Sequence, residues 1–125
     1  MPNWANADLT RDIIDAFCTV YRVLKNRRAY SAFNLAEALK IELQKHGHKV
    51  EREVTAQRTY RGESIGSDRV ALVVDGLVAI IVKNVAEINA IHYAQLRSYL
   101  DDGHWPIGFL CNFGAHKPDF RRLDR

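Results

Sequence analysis

Val70-Ala-Leu-Val-Val-Asp-Gly-Leu-Val-Ala-Ile-Ile-Val-Lys83 is an apolar segment interrupted by Asp75-Gly76. Two β-branched runs on either side of such a dipeptide predict a β-hairpin. A loop from Asp75 to Leu77 pairs Val74 with Val78 and leaves both faces of the hairpin apolar near the middle. Strands that are covered by helices on both sides have this pattern, so we expect the hairpin at the centre of the fold.

The register also assigns residues to the two faces of the hairpin. It pairs Ala71 with Ile81 and places both on the same face as Lys83, the charge at the end of the second strand. A shorter loop would shift the pairing by one residue and mix the faces, which favours the longer loop. The opposite face is wholly apolar and carries Val70, Leu72, Val74, Val78, Ile80 and Val82.

Length and composition indicate one globular domain. The chain has 125 residues, of which 47% are hydrophobic and 26% are charged, as expected for a protein with one core. No apolar run approaches the length of a membrane span, and the N-terminus lacks the basic and apolar regions of a signal peptide. We therefore expect a cytoplasmic protein without membrane contacts, with a tail at residues 1–7 and a single domain at residues 8–125.

The two cysteines, Cys18 and Cys111, lie far apart in apolar runs. This placement predicts buried thiols in a reducing compartment. A zinc site needs ligands clustered at short spacing, whereas the histidines are scattered along the chain. The residue pattern therefore predicts no metal site.

Hydrophobic periodicity predicts the elements around the hairpin. They are helices at residues 8–25, 29–46 and 90–100, strands at residues 49–56 and 106–113, and a short edge strand at residues 120–123. The resulting order is α-α-β-β-β-α-β, with a last β. This order predicts an α/β sandwich in which helices flank a mixed central sheet.

Several short segments carry a resemblance to a known family. They are Leu9-Thr10 with Ile13-Ile14, Glu37 to Leu43, Gly47 with Val50, Glu51 and Val54, Ala94 to Leu100, and Asn112 to Gly114. In this order and spacing they resemble the GxxExxY family of the PD-(D/E)XK nuclease superfamily, from about Leu9 to Leu123. The resemblance implies a restriction-endonuclease-like fold, in agreement with the predicted order of elements.

The resemblance also indicates where a catalytic site would lie. In this superfamily, an acidic residue of the hairpin and the glutamate of an E-x-K triplet bind Mg²⁺, and the lysine stabilises charge on the scissile phosphate. Lys83 and Gln95 remain from that site. The family positions with replaced residues are Ala29, Ala32 and Leu35 of the GxxExxY motif, Ala71 on the hairpin and Ile81 of the E-x-K triplet.

These replacements imply a catalytically degenerate member of the family. Without the carboxylates, hydrolysis has neither a Lewis acid nor an activated water, so we expect no metal and no other cofactor. Asp68 and Glu87 are nearby acids that could substitute. Neither of them restores two converging carboxylates, so the sequence favours a protein that is not an enzyme.

Three functions are compatible with these observations. The sequence favours the first, a non-catalytic self-associating interaction or assembly module, because aromatic residues are enriched in interfaces. The second is a nucleic-acid-binding protein that keeps the cleft without cleavage, which a net charge of +3 permits. The third is a residual metal-dependent nuclease that uses a migrated carboxylate.

The first two functions have different candidate residues. For self-association, which would give a homo-oligomer, the candidates are Trp4, Tyr30, Phe33 and Trp105. For nucleic-acid binding, the candidates are Lys25, Arg27, Arg28, Arg58, Arg61 and Arg69.

Overall fold

The structure is a computed structural model that describes residues 6–125. Its helices are α1 (Ala7–Val23), α2 (Ala32–Lys45) and α3 (Ala90–Gly103), with a short 3₁₀ turn at Arg27–Ala29. Its strands are β1 (Val50–Tyr60), β2 (Glu63–Val74), β3 (Val78–Lys83), β4 (Ile107–Asn112) and β5 (Asp119–Asp124). The predicted order of elements, including the last strand, is confirmed.

The five strands form one mixed sheet in the order β1-β2-β3-β4-β5. Strands β3 and β4 are parallel, and every other neighbouring pair is antiparallel. Parallel neighbours need a crossover connection, and α3 supplies it. Strand β5 lies at one edge of the sheet, as its charged residues predict.

Apolar residues form one core on each side of the sheet. The first core lies between the sheet and helices α1 and α2, and it contains Phe17, Leu39 and Leu72. The second core lies between the sheet and α3, and it contains Val70 and Leu96. Helices therefore cover both sides of the β2–β3 hairpin, which confirms the predicted α/β sandwich.

The hairpin has the predicted three-residue loop, because Val74 pairs with Val78. Its turn begins at Asp75, whose φ of 53° is left-handed. The ladder between β2 and β3 ends at the pair Leu72–Ile80. The predicted pair further along, Ala71 with Ile81, lies beyond this ladder.

The predicted faces of the hairpin are wrong at two positions. Val70 lies in the second core, whereas Leu72 and Val74 lie in the first. Ala71 packs against the first core, whereas Ile81 lies in the second. The strict alternation of strand side chains is therefore interrupted next to Ala71.

The interruption has a backbone cause in β1. Glu53 has a left-handed φ of 52° and occupies the unpaired position between the pairs Arg52–Leu72 and Val54–Val70. The Ala71 carbonyl accepts a hydrogen bond from Nε of Arg52 at 2.9 Å. This local irregularity changes which residues of β1 and β2 face each helix layer.

The helix ends differ from the predicted ends by a few residues. Helix α2 begins at Ala32 because Ser31 caps it, with its Oγ accepting a hydrogen bond from the Asn34 amide at 3.0 Å. Helix α3 continues to Gly103, where a Cβ atom would lie 2.1 Å from the Trp105 ring. Glycine therefore permits the indole to pack against the end of the helix.

Strands β1 and β2 are longer than predicted. They continue to the turn at Arg61-Gly62, where both residues have positive φ, as two-residue hairpin turns require. We call residues 57–67 the arm, because nearly all of them are exposed. A register shift next to Ile65 makes this residue a bulge in the arm.

The N-terminal segment is only partly described. The predicted tail covers residues 1–7, and Trp4 lies outside the described residues. Helix α1 begins at Ala7, so it includes the last residue of the predicted tail. Within residues 6–125, no helix combines the length and the apolar character that crossing a membrane requires.

Candidate functional site

A cleft of about 560 Å³ lies between α3 and the strands β1 and β3. It is lined by Arg58, Lys83, Ile91, His92, Ala94, Gln95 and Ser98. The structure thus brings together Lys83 and Gln95, the two residues that remain from the family site, and adds the guanidinium of Arg58. We call this the Lys83 cleft.

Lys83 is the last residue of β3, and its side chain is partly buried. Burial lowers the pKa of its ammonium group, because desolvation penalises the charged form. Within the described part of the chain, no carboxylate lies within 4.0 Å of its Nζ atom. The ammonium therefore has hydrogen-bonding capacity that an anion in the cleft could use.

Arg58 enters the Lys83 cleft from β1 and is held by two aspartates. Its Nε donates to Asp68 Oδ2, and the same nitrogen lies 3.8 Å from Asp102 Oδ2. Ser98 Oγ donates to Asp102 Oδ2 at 3.4 Å. This network orients one side of the guanidinium towards the acids, while 41% of the Arg58 side chain stays exposed.

Gln95 is oriented by the next turn of α3. Its Nε2 donates to Tyr99 Oη at 3.0 Å, and Tyr99 itself is 7% exposed. Burial and the negative charge of Asp68 raise the pKa of Tyr99, although the hydrogen bond from Gln95 and the charge of Arg58 oppose this. The phenol thus stays neutral and holds the amide of Gln95 in place.

The replaced family positions lie outside the Lys83 cleft. Ile81 is 5% exposed within the second core, and Leu35 and Ala71 belong to or pack against the first core. Ala29 lines a separate cavity, and Ala32 is exposed at the start of α2. The predicted grouping of Ala71 with Ile81 and Lys83 on one face is therefore wrong for Ala71, because the irregularity at Glu53 moves it to the other side. Ile81 and Lys83 both lie on the side of the sheet that faces α3.

Neither candidate substitute acid lines the Lys83 cleft. Glu87 lines a cavity of about 840 Å³ together with Arg28 and His116. Asp68 shares the side of the sheet that faces α3, since it pairs with the buried Ala56, but its carboxylate binds Arg58. Glu87 therefore lies at another cavity, whereas Asp68 lies beside the Lys83 cleft and binds one of the residues that line it.

The donor set of the Lys83 cleft does not fit the divalent metal that the family uses. Mg²⁺ needs carboxylate or other oxygen ligands, whereas the charged groups that line this cleft are an ammonium and a guanidinium. Among residues 6–125, no three His, Cys, Asp or Glu side chains form a group that could hold a metal ion.

The basic candidates do not line one common cleft. Arg27 has a structural role, because its guanidinium lies 3.5 Å from the centre of the Tyr21 ring and donates to the carbonyl of Tyr21 at 2.8 Å. Arg28 donates to the Gly114 carbonyl at 3.3 Å beside the larger cavity. The remaining candidates are all exposed or partly exposed, and they are Lys25, Arg58, Arg61 and Arg69. Of these four residues, Arg58 lines the Lys83 cleft.

The aromatic candidates among residues 6–125 differ in how far they are buried. Trp105 is 9% exposed and packs in the second core, so it completes the fold of the monomer. Tyr30 is 38% exposed and Phe33 is 59% exposed. The Arg52 guanidinium lies 4.7 Å from the centre of the Phe33 ring.

Sequence reasoning did not assign Ser98, Tyr99 or Asp102 to the site. Gln95 and Tyr99 are four residues apart on one helix face, which was the signal available for the hydrogen bond between them. Asp102 could not be found in this way, because its partner Arg58 comes from β1, far away in the chain.

The mixed sheet between two helix layers, with a lysine at the end of β3 next to α3, defines a restriction-endonuclease-like α/β fold. A family model described as the PD-(D/E)XK nuclease superfamily matches residues 7–123, and the chain belongs to this superfamily. Searches of the curated proteins and of the solved structures found no match.

Proposed function

We propose that this protein is a catalytically inactive PD-(D/E)XK nuclease-like domain of the GxxExxY type that binds nucleic-acid phosphate through the Lys83 cleft. The observation that carries the proposal is the charge of the cleft. Lys83 and Arg58 line it together with the polar side chains of Gln95 and Ser98, and no carboxylate of residues 6–125 lines it.

The absence of cleavage follows from the donor set. Ile81 occupies the E-x-K glutamate position and is buried among apolar residues, while Ala71 packs on the other side of the sheet. Activation of water by a metal needs oxygen ligands beside the lysine. The charged side chains that line this cleft are the cations Lys83 and Arg58, which are not metal ligands of this kind.

Phosphate binding follows from the same arrangement. An anion in the cleft would compensate the unfavourable desolvation of the Lys83 ammonium. Arg58 keeps exposed donors while Asp68 holds its Nε, and guanidinium groups bind phosphate with favourable geometry. Gln95 and Ser98 add neutral polar groups.

Two assays test the proposal. In the first, single-stranded and duplex DNA and RNA are incubated with the protein in Mg²⁺ and in Mn²⁺, and we expect intact substrate. In the second, fluorescence anisotropy of labelled strands is measured against salt. The logarithm of the binding constant should fall with a slope of about −0.9 per phosphate contact on duplex DNA and about −0.7 on single strands.

Two substitutions assign the binding to the cleft. Lys83→Met and Arg58→Gln should each weaken binding and reduce the salt slope by about one contact. The matched control is Lys45→Met, at an exposed lysine at the end of α2 outside the cleft, and we expect unchanged binding. Absence of binding at low salt, or equal effects of all three substitutions, would refute the proposal. Metal-dependent cleavage that disappears in Lys83→Ala would show an active nuclease instead.

A second candidate function, a self-associating module, is supported by a different part of the molecule. The arm extends past the part of the sheet that α3 covers. Its side chains Tyr60 and Ile65 are exposed.

A further inference from the structure

The arm is a two-stranded ribbon, and neither of its edges pairs with another strand among residues 6–125. Strand β1 lies at an edge of the sheet. Strand β2 pairs with β3 only from Leu72 to Val74, so the part of β2 in the arm pairs with β1 alone. Unpaired N–H and C=O groups along a strand form a template for another strand.

The arm also exposes apolar side chains. Tyr60 is 62% exposed and Ile65 is 67% exposed. A β-bulge next to an interaction site re-aims a side chain, and Ile65 is the residue at which the register shifts. Exposed apolar residues on an unpaired ribbon indicate a surface that associates with a partner.

The residues of β1 are complementary to a second copy of the same strand. In an antiparallel pair related by a two-fold axis at Gln57, Thr55 lies opposite Thr59 and Val54 lies opposite Tyr60. Thr–Thr pairs and pairs of aromatic with β-branched residues are both favourable across strands. The two-fold axis produces each pair twice.

Charges support the same register. Just beyond the pair Val54–Tyr60, Glu53 of one copy lies opposite Arg61 of the other. Both residues are exposed, and opposite charges in facing positions fix the register of an interface. Strand β1 bends at Glu53, where φ is 52°. The bend limits the ladder between the two copies to the residues that follow Glu53 in β1.

We propose that this protein forms a two-fold symmetric homodimer in which the β1 edges pair antiparallel from Val54 to Tyr60, with Glu53 facing Arg61 of the second copy.

The charge of the arm favours a second copy over nucleic acid. Arg58 lines the Lys83 cleft, and the other charged residues of the arm are one arginine and one glutamate, Arg61 and Glu63. The arm therefore lacks the cationic stripe on which phosphate binding depends. Arg58 belongs both to β1 and to the lining of the Lys83 cleft. The dimer is therefore tested at Glu53 and Arg61, which do not line that cleft, so that either proposal can fail without the other.

The test is a charge exchange followed by sedimentation equilibrium. The wild-type protein should be a dimer that dissociates on dilution. Glu53→Arg and Arg61→Glu each place like charges together at two symmetric positions, so each should weaken the dimer by about tenfold or more. The double variant restores opposite charges and should return dimerisation to near the wild-type level.

Arg97→Glu is the matched control, since Arg97 is an exposed arginine on α3 and does not belong to β1, and we expect an unchanged dimer. Circular dichroism and the unfolding midpoint of each variant show whether the fold is retained, and the double variant supplies a readout that misfolding cannot mimic. A wild-type monomer at the highest concentration measured would overturn the proposal. So would a dimer that both single reversals leave unchanged, or a double variant that stays monomeric.

Discussion

The side chain of Asn112 pairs with the backbone of Val85 as a neighbouring strand would. Its Nδ2 donates to the Val85 carbonyl at 2.9 Å, and its Oδ1 accepts from the Val85 amide at 3.0 Å. The same Oδ1 also accepts from the Gly114 amide at 3.0 Å. Asn112 is fully buried, so this one amide joins the end of β4 to the loop that follows Lys83.

Asn112→Ala should lower the free energy of unfolding by about 2–4 kcal/mol, because it leaves buried backbone groups of Val85 and Gly114 without partners. Urea denaturation measures the change. Asn34→Ala, at an exposed asparagine of α2, is the control and should cost less than about 0.5 kcal/mol. Equal losses in the two variants would contradict the role assigned to Asn112.

Gly114→Ala should destabilise the protein more than Gly108→Ala. A Cβ atom at Gly114 would lie 2.5 Å from the backbone N and O atoms of Val85, which Asn112 holds in place. At Gly108, the nearest atom would be Cδ1 of Leu96 at 2.8 Å, and a side chain moves more easily than a backbone. We expect about 1–3 kcal/mol for Gly114→Ala, measured by urea denaturation, and the reverse ranking would refute this explanation.

His48 should stabilise the protein more at acidic than at alkaline pH. Its ring is 14% exposed and lies between Asp75 and Asp12, with each ring nitrogen 2.7 Å from a carboxylate oxygen. Burial opposes protonation, but the hydrogen bonds to both carboxylates outweigh it and raise the pKa of His48. A raised pKa in the folded state gives a stabilisation that is complete below the unfolded pKa of about 6.5 and disappears as pH rises through the folded pKa.

The measurement compares wild-type protein with His48→Gln in urea at about pH 5.5 and about pH 8.5. The difference in unfolding free energy between the two proteins should be larger at the lower pH. His116→Gln, at an exposed histidine, is the matched control substitution. A difference for His48→Gln that does not change with pH would contradict the prediction.

Lys83→Met should leave the free energy of unfolding unchanged or raise it by up to about 1 kcal/mol at neutral pH. Burial lowers the pKa of Lys83 in the folded state, so folding disfavours its charged form. Methionine fills similar space without that desolvation. The relative gain should shrink as pH rises through the lowered pKa of Lys83 towards about 10.4, because the wild-type lysine then becomes neutral. A marked loss of stability would show a structural role for the ammonium.

The sequence predicted the elements that depend on local patterns. The loop from Asp75 to Leu77 follows from a turn dipeptide, and the buried strand β4 follows from a continuous apolar run. The grouping of Lys83 with Gln95 came from the family resemblance, and the structure places both in one cleft. Their binding to phosphate stays a prediction.

The remaining features depend on contacts that a local pattern does not contain. Glutamate has no particular preference for left-handed φ, so the bend at Glu53 and the position of Ala71 could not be derived. The arm has the polar sequence of a loop around Gly66 and lacks apolar alternation, which concealed its strands. The burial of Trp105 depends on Gly103, whose missing Cβ leaves room for the indole.

The parallel pairing of β3 with β4 imposes an order on folding. Strand β3 emerges from the ribosome before α3 and β4, so its free edge has no partner until the whole crossover has been made. Its residues from Val78 to Val82 are all buried in the finished sheet, and an open apolar edge of this kind pairs readily with other chains. Helix α3 and the β4–β5 hairpin therefore protect the nascent protein from aggregation when they dock.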